Sequence, residues 1–190
     1  MPYYPLHEEL AAVFRPGQIV LTLQDEVAQL FEEARDDVFR YLLTLGLHPP
    51  QAQEAAQEVF LRLYTTLKKG EQILNRRAWI FRVAHNLGLK IRARQGAVPF
   101  DPDMESRILD PQSNPERSLI ERERTARIER AISTLSDQQR RCLQLRMEGL
   151  RYPEIGEIMG ISASTVGEFL RRAMTRLRKE TSPGKEGSHE

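Results

Sequence analysis

Between Asp25 and Leu45 the apolar residues Val27, Leu30, Phe31, Ala34, Val38, Tyr41, Leu42 and Leu45 return at steps of three and four. That period puts them on one side of an α-helix. Gly46 and the pair Pro49-Pro50 predict its end. A second helix is predicted from about Gln51 to Leu67, with Ala52, Ala55, Ala56, Val59, Phe60, Leu63 and Tyr64 on its apolar side, and Lys68-Lys69-Gly70 breaks it. A third runs from Arg76 to Arg94 with Trp79, Ile80, Val83, Leu87 and Ile91 on one stripe. No strand-like alternation competes in this region.

The pattern then stops. QGAVPFDPDMESRILDPQSNPERS carries four prolines among Asp, Asn and Ser, the composition of a connector. Helical periodicity resumes near Glu116 and continues to about Lys179, with breaks at Thr134-Leu135-Ser136, Gly149 and Gly160. The expectation is an all-α fold of two small helical domains, residues 25–95 and 116–180, joined by a flexible linker at 96–115. An N-terminal extension, residues 1–24, predicts only a short helix around Glu8 to Phe14, and the polar end, residues 181–190, predicts disorder.

Within the second domain the punctuation is more telling. Ser136 can cap a helix with Gln139 at the capping-box position, and Leu143, Leu145 and Met147 are candidate core. Tyr152-Pro153-Glu154 opens a second helix, where Pro is tolerated in the first turn, and Ile155, Ile158 and Met159 face inward. Gly160 supplies a tight turn, Ile161 fills the space between helices, and Ser162 or Ser164 caps a last helix with the stripe Val166, Leu170, Ala173 and Leu177. This is the layout of a helix-turn-helix that props its second helix toward a DNA groove; a plain helical hairpin is the alternative. The outward face of the last helix is then Ser164, Glu168, Arg171, Arg172 and Thr175, with Arg176 and Arg178 beyond. Arg171 and Arg172 suit phosphates or a guanine edge. Glu168 either accepts a hydrogen bond from a cytosine amino group or pairs with Arg171 or Arg172 along the helix.

Charge changes the reading of the first domain. The chain of 190 residues has a formal net charge of only +1, so distribution matters more than the total. Between Glu71 and Asp101 there is no acidic residue, while Arg76, Arg77, Arg82, Lys90, Arg92 and Arg94 lie there, interleaved with Trp79 and Phe81. Such a block points to a nucleic-acid surface, cations for phosphates and aromatics for bases, although Trp79 also fits the apolar stripe as core. The single Cys142 and four scattered histidines predict no disulfide, no metal and no cofactor. Neither a phosphate loop nor a nucleophile constellation is present, so no enzyme is expected. With no leader-like start and no apolar run long enough to span a bilayer, a cytoplasmic protein without membrane insertion is expected.

QEAAQEVFLRLY followed by RRAWIFRVAHNL resembles region 2 of bacterial sigma factors of the extracytoplasmic-function (ECF) group. LSDQQRRCLQLRMEGLRYPEIGEIMGISASTVGEFLRRAMTRLRK is similar to region 4 of the same group. The resemblance covers roughly residues 25–95 and 116–179. It implies a transcription initiation factor that binds core RNA polymerase and promoter DNA, with an anti-sigma factor as a further candidate partner. Carried over by position, Glu54, Gln57, Glu58, Phe60 and Leu61 would meet the polymerase. The loop from Thr66 to Asn75 would capture a flipped-out base. Arg76, Arg77, Trp79, Arg82, Asn86 and Lys90 would hold the melted downstream (−10) element, and Ser164, Thr165, Glu168, Arg171, Arg172, Thr175 and Arg176 the upstream (−35) element. The group's pattern is departed from in three places: Lys90 stands where an Asp is frequent, Ala55-Ala56 thin the acidic patch, and Gly167-Glu168-Phe169 replace Lys-Ser-Arg. Those last changes leave room for another reading, a sigma-like adaptor that binds protein without recognising promoters.

Overall fold

The structure, a computed structural model, describes residues 22–95, 126–128 and 130–181. Among the described residues the helices with set bounds are, in order, α1 (Leu23–Thr44), α2 (Pro49–Lys68), α3 (Arg76–Gln95), α4 (Asp137–Met147), α5 (Tyr152–Met159) and α6 (Ala163–Thr181). Residues 126–128 and 130–133 are also helical. The described residues contain no strand, as an all-α fold requires. The expected helix at Glu8 to Phe14, the linker at 96–115 and the tail beyond Thr181 lie outside the described residues.

Local chemistry sets where the helices begin. Thr22 accepts a hydrogen bond from the Asp25 amide at 3.2 Å, and the Asp25 carboxylate accepts from the Thr22 amide at 2.9 Å. These reciprocal bonds satisfy two amides that the first turn leaves without partners, and the Thr22 hydrogen bonds hold the Asp25 carboxyl below its ordinary range. Ser136 and Gln139 form the same box at the start of α4, as expected. Pro49-Pro50 does not merely end α1. The pair makes the first turn of α2, where proline's missing N–H costs nothing and its fixed φ already suits a helix.

Helices α1 to α3 form one bundle. Val38, Tyr41, Leu42, Leu45, Val59, Leu63, Ile80 and Phe81 are fully buried, each large side chain contributing about 1.5–3 kcal/mol by leaving water. Tyr41 and Phe81 meet edge to face with ring centroids 5.5 Å apart. The buried stripe of α3 is Ile80, Phe81, Ala84, His85 and Gly88, rotated from the predicted one; Trp79, Val83, Leu87 and Ile91 are only partly buried at its flank. Gly88 explains the rotation. A Cβ there would stand 2.6 Å from Leu45 Cδ1, so the missing side chain lets α3 settle closely on α1.

Helices α4 to α6 form a second bundle around Cys142, Leu145, Leu150, Ile155, Ile158, Val166, Leu170 and Ala173. Met147, expected in the core, is exposed instead. Residues two apart on a helix point to different faces, so Leu145 and Met147 cannot both turn inward. The two bundles touch: α1 packs on α4, α3 packs on α5, and their apolar clusters are continuous.

Candidate nucleic-acid interface

Helices α5 and α6 are held together by two glycines. Gly160 ends α5 at φ 67°, ψ 35°, a left-handed conformation that glycine adopts without strain. Gly156 sits under the turn, where a Cβ would lie 2.6 Å from the Ile161 carbonyl oxygen. Ser162 then caps α6, its hydroxyl accepting from the Thr165 amide at 3.1 Å and lying 2.8 Å from the hydroxyls of both Ser164 and Thr165. Of the two candidate caps, Ser162 takes the role. Val166, Leu170 and Ala173 are buried and Leu177 is partly buried, so α6 turns Ser164, Arg171, Arg172 and Thr175 outward, with Glu168 half-buried among them.

Glu168 is engaged with both arginines. Arg171 donates to its carboxylate at 2.9 and 3.0 Å, and Arg172 at 2.7 Å. These hydrogen bonds hold the Glu168 carboxyl below its ordinary range and raise Arg171. The intrahelical pairing foreseen as one of two options is therefore the arrangement present. Thr175 donates its hydroxyl to the Arg171 carbonyl at 2.9 Å. Arg176 is drawn away from the outward face, donating to the Thr134 carbonyl at 2.8 Å. Gly167 has a neighbour the sequence did not announce: a Cβ there would meet Tyr152 Cε2 at 3.4 Å, and Arg146 lies over that same ring.

On α3 the residues Arg82, Asn86 and Lys90 follow one another at four-residue steps on an exposed line. Trp79 is half-buried one turn before them, whereas Phe81 is fully buried and has no face for a base. Three of the predicted cations, Arg76, Arg77 and Arg82, are engaged. Arg76 pairs with Glu26. Arg77 donates to Asp37 at 2.8 Å, to the Glu148 backbone carbonyl at 2.8 Å, and to the Glu148 carboxylate. Burial works against the Arg77 charge, yet its two carboxylate partners raise it overall. Of those partners, Asp37 is held low by Arg77 and Arg40 against burial, while burial and the neighbouring Asp37 push Glu148 up. Arg82 pairs with Glu157. In the preceding loop Leu74 is fully exposed, and Asn75 caps α3 by accepting from the Ala78 amide at 3.0 Å.

The third set of predicted residues lies on the far side of α2. Glu54, Gln57, Glu58 and Leu61, with Gln51 and Ala55, face Leu87 and Ile91 of α3 across an open groove of about 550 Å³. Phe60 is not part of that surface. It is buried, edge to face with Phe31 at 5.1 Å, because the α2 positions that pack on α1 are those of Ala56, Phe60 and Leu63. Sequence reasoning also overlooked three acids of the second bundle, Glu148, Glu154 and Glu157, which meet the α3 side; nothing in a local pattern marks a contact between residues some seventy positions apart.

A helix-turn-helix with two arginines on its outward face and a basic helix on a separate bundle define a helical DNA-binding protein of two-lobed type. The family model described as Sigma-70 region 2 matches residues 30–97, and that described as Sigma-70, region 4 matches residues 125–177. The chain is 30% identical over 165 residues to the ECF RNA polymerase sigma factor RpoE of Cereibacter sphaeroides, covering 82% of this chain and 86% of that one. It is 27% identical over 169 residues to the ECF RNA polymerase sigma factor SigW of Bacillus subtilis, covering 83% and 89%. The fold is also that of the sigma factor RpoE from Bartonella quintana, solved in complex with the anti-sigma factor NepR, at a TM-score of 0.58 and 18% identity, over 82% of this chain and 96% of that one. The chain belongs to the ECF RNA polymerase sigma factors.

Proposed function

We infer that this sigma factor brings core RNA polymerase to its promoters, with the two bundles dividing the work. The observation that carries the assignment of DNA surfaces is the placement of cations. Arg171 and Arg172 stand on the outward face of a capped, glycine-turned second helix, and Arg82, Asn86 and Lys90 line an exposed edge of α3, a helix that carries no acid of its own. The α6 face suits the upstream element in duplex form, since a helix fits the major groove and two guanidiniums can reach phosphates or guanine edges. Glu168 holds those guanidiniums in place, so its part in recognition is to position them. The α3 edge suits the melted downstream element, where binding the exposed strand offsets the few kcal/mol spent on unstacking a base, roughly. The loop ending in Leu74 and Asn75 stands beside that edge. Arg76, Arg77 and Trp79 support it from within the bundle.

Glu54, Gln57, Glu58 and Leu61 are assigned to the polymerase: an apolar groove rimmed with acids is the complement of a basic, amphipathic partner helix. Phe60 shapes that surface from beneath. The reaction chemistry belongs to the polymerase, so this chain acts without catalysis, cofactor or metal, in the cytoplasm where polymerase meets promoters. Two solved proteins that share the fold are held by protein partners, RpoE by NepR and CnrH by the cytosolic domain of CnrY. An anti-sigma factor is accordingly a candidate partner here. No described helix is long and apolar enough to cross a membrane. Transcription reconstituted from core polymerase and this chain tests the assignment; initiation at discrete sites only when the chain is added supports it, and its absence refutes it.

A further inference from the structure

The outward face of α6 carries no side chain at one position. Gly167 lies on the edge of that face turned toward α5, one turn before Arg171, and a glycine puts nothing into a groove. The space beside it is filled from another helix. Tyr152, the first residue of α5, lays the edge of its ring there, with Cε2 3.4 Å and Cδ2 3.7 Å from where a Cβ of residue 167 would stand. The ring is also held in place. The Arg146 guanidinium lies 5.8 Å from its centroid and is itself tethered, donating to the Leu150 carbonyl at 3.1 Å. Tyr152 nonetheless keeps 42% of its surface in solvent.

We propose that Tyr152 is a specificity residue for the upstream element: its ring takes the place in the groove that α6 leaves bare at Gly167 and reads a thymine through its methyl group. This rests on the reading above that α6 enters the upstream duplex. A fixed, exposed aromatic ring suits the one apolar mark that the major groove displays, the thymine 5-methyl. The glycine is what admits it, since a longer side chain at 167 would extend across the ring. Arg171 and Arg172 serve phosphates or guanine edges, and Glu168 is taken up by both of them. An apolar contact on this flank of α6 therefore comes from α5. The preferred element carries a thymine beside the nucleotides that Arg171 reaches.

The test uses the full chain assembled with core polymerase. Upstream duplexes are selected from a randomised pool, and each thymidine of the selected element is then replaced singly by deoxyuridine, which removes only the methyl group. The native chain should bind about threefold to fourfold more weakly at one such position, the worth of one buried methyl. Tyr152→Phe should keep that discrimination and the salt dependence of binding, because the ring and not the hydroxyl makes the contact. Tyr152→Ala should abolish it at that position alone. Gly167→Lys, where lysine suits a helix better than glycine, should abolish it too by laying its stem across the ring. Equal binding of thymidine and deoxyuridine at every position would overturn the proposal. So would discrimination that survives in Tyr152→Ala, or in Gly167→Lys should the alanine variant not fold. Discrimination lost in Tyr152→Phe would assign the contact to the hydroxyl and overturn the methyl readout. A chain that selects no upstream motif refutes the promoter reading and takes the proposal with it, whereas a motif selected without methyl discrimination sinks only the role of Tyr152.

Discussion

The phenol oxygen of Tyr41 on α1 and Nδ1 of His85 on α3 lie 2.7 Å apart, both side chains buried. Burial first, and the guanidinium of Arg141 second, depress His85 to about 4, and burial drives the Tyr41 phenol far above its ordinary range. The pair is therefore neutral at pH 7. A base whose folded pKa falls below its unfolded value binds more protons when unfolded, so its contribution is complete above the unfolded value of 6.5 and is lost as pH falls toward 4. Glu148, with its carboxyl raised, works in the opposite sense over part of that range. Urea unfolding from pH 7.5 to 4.5 is expected to show falling stability, with a clearly shallower decline in His85→Gln. An identical decline in the two proteins would show that His85 does not titrate with folding.

Two glycines of the helix-turn-helix should respond oppositely to alanine. At Gly160 the φ of 67° belongs to the left-handed region, so Gly160→Ala is expected to destabilise by about 1–2 kcal/mol. At Gly167 the new Cβ would rest at 3.4 Å from the edge of the Tyr152 ring in ordinary helical backbone. Gly167→Ala should therefore stabilise by roughly 0.5–1 kcal/mol through helix propensity. Thermal unfolding of both variants decides it, and a loss at Gly167 matching that at Gly160 would contradict this account.

Releasing the arginines of α6 should trade selectivity for affinity. In Glu168→Gln the acid no longer holds Arg171 and Arg172 or repels phosphate. Binding to nonspecific duplex is expected to tighten by about threefold to tenfold and to weaken more steeply with salt. Salt titrations of duplex binding by fluorescence anisotropy read both; a parallel, unchanged titration would mean that Glu168 has no hold on the guanidiniums in solution.

Removing those arginines should act in the other direction. Arg171→Ala/Arg172→Ala is expected to weaken upstream-element binding at least tenfold and to flatten its salt dependence by about two phosphate contacts. Fold should be kept, because both side chains are exposed and bonded only along their own helix. Unchanged binding would place the DNA on another face.

Much of this was legible in the chain. Periods of three and four gave the helices because each buries one face, and Ser136, Gly160 and the stripe from Val166 to Ala173 marked the helix-turn-helix because caps and tight turns are local chemistry. The misreadings have physical causes. Pro49-Pro50 looked like a stop and is a start, since proline fits a first turn as well as it breaks a later one. The stripe of α3 was rotated because a bare Gly88 carries no apolar mark, although it sets the closest approach to α1. Phe60 and Phe81 are buried in the core, since aromatic character alone does not tell burial from display. Arg77 and Arg82 read as open cations because their partners, Glu148 and Glu157, are brought near only by packing of α4 and α5 against the first bundle.

The central claim, that this chain selects promoters for polymerase, is tested most directly by transcription in vitro from a pooled library of promoter fragments with core RNA polymerase. Transcripts starting at discrete sites when the chain is present, and lost with Arg171→Ala/Arg172→Ala, are the predicted result. Binding of polymerase without any chain-dependent start site would contradict the claim and leave an adaptor in its place.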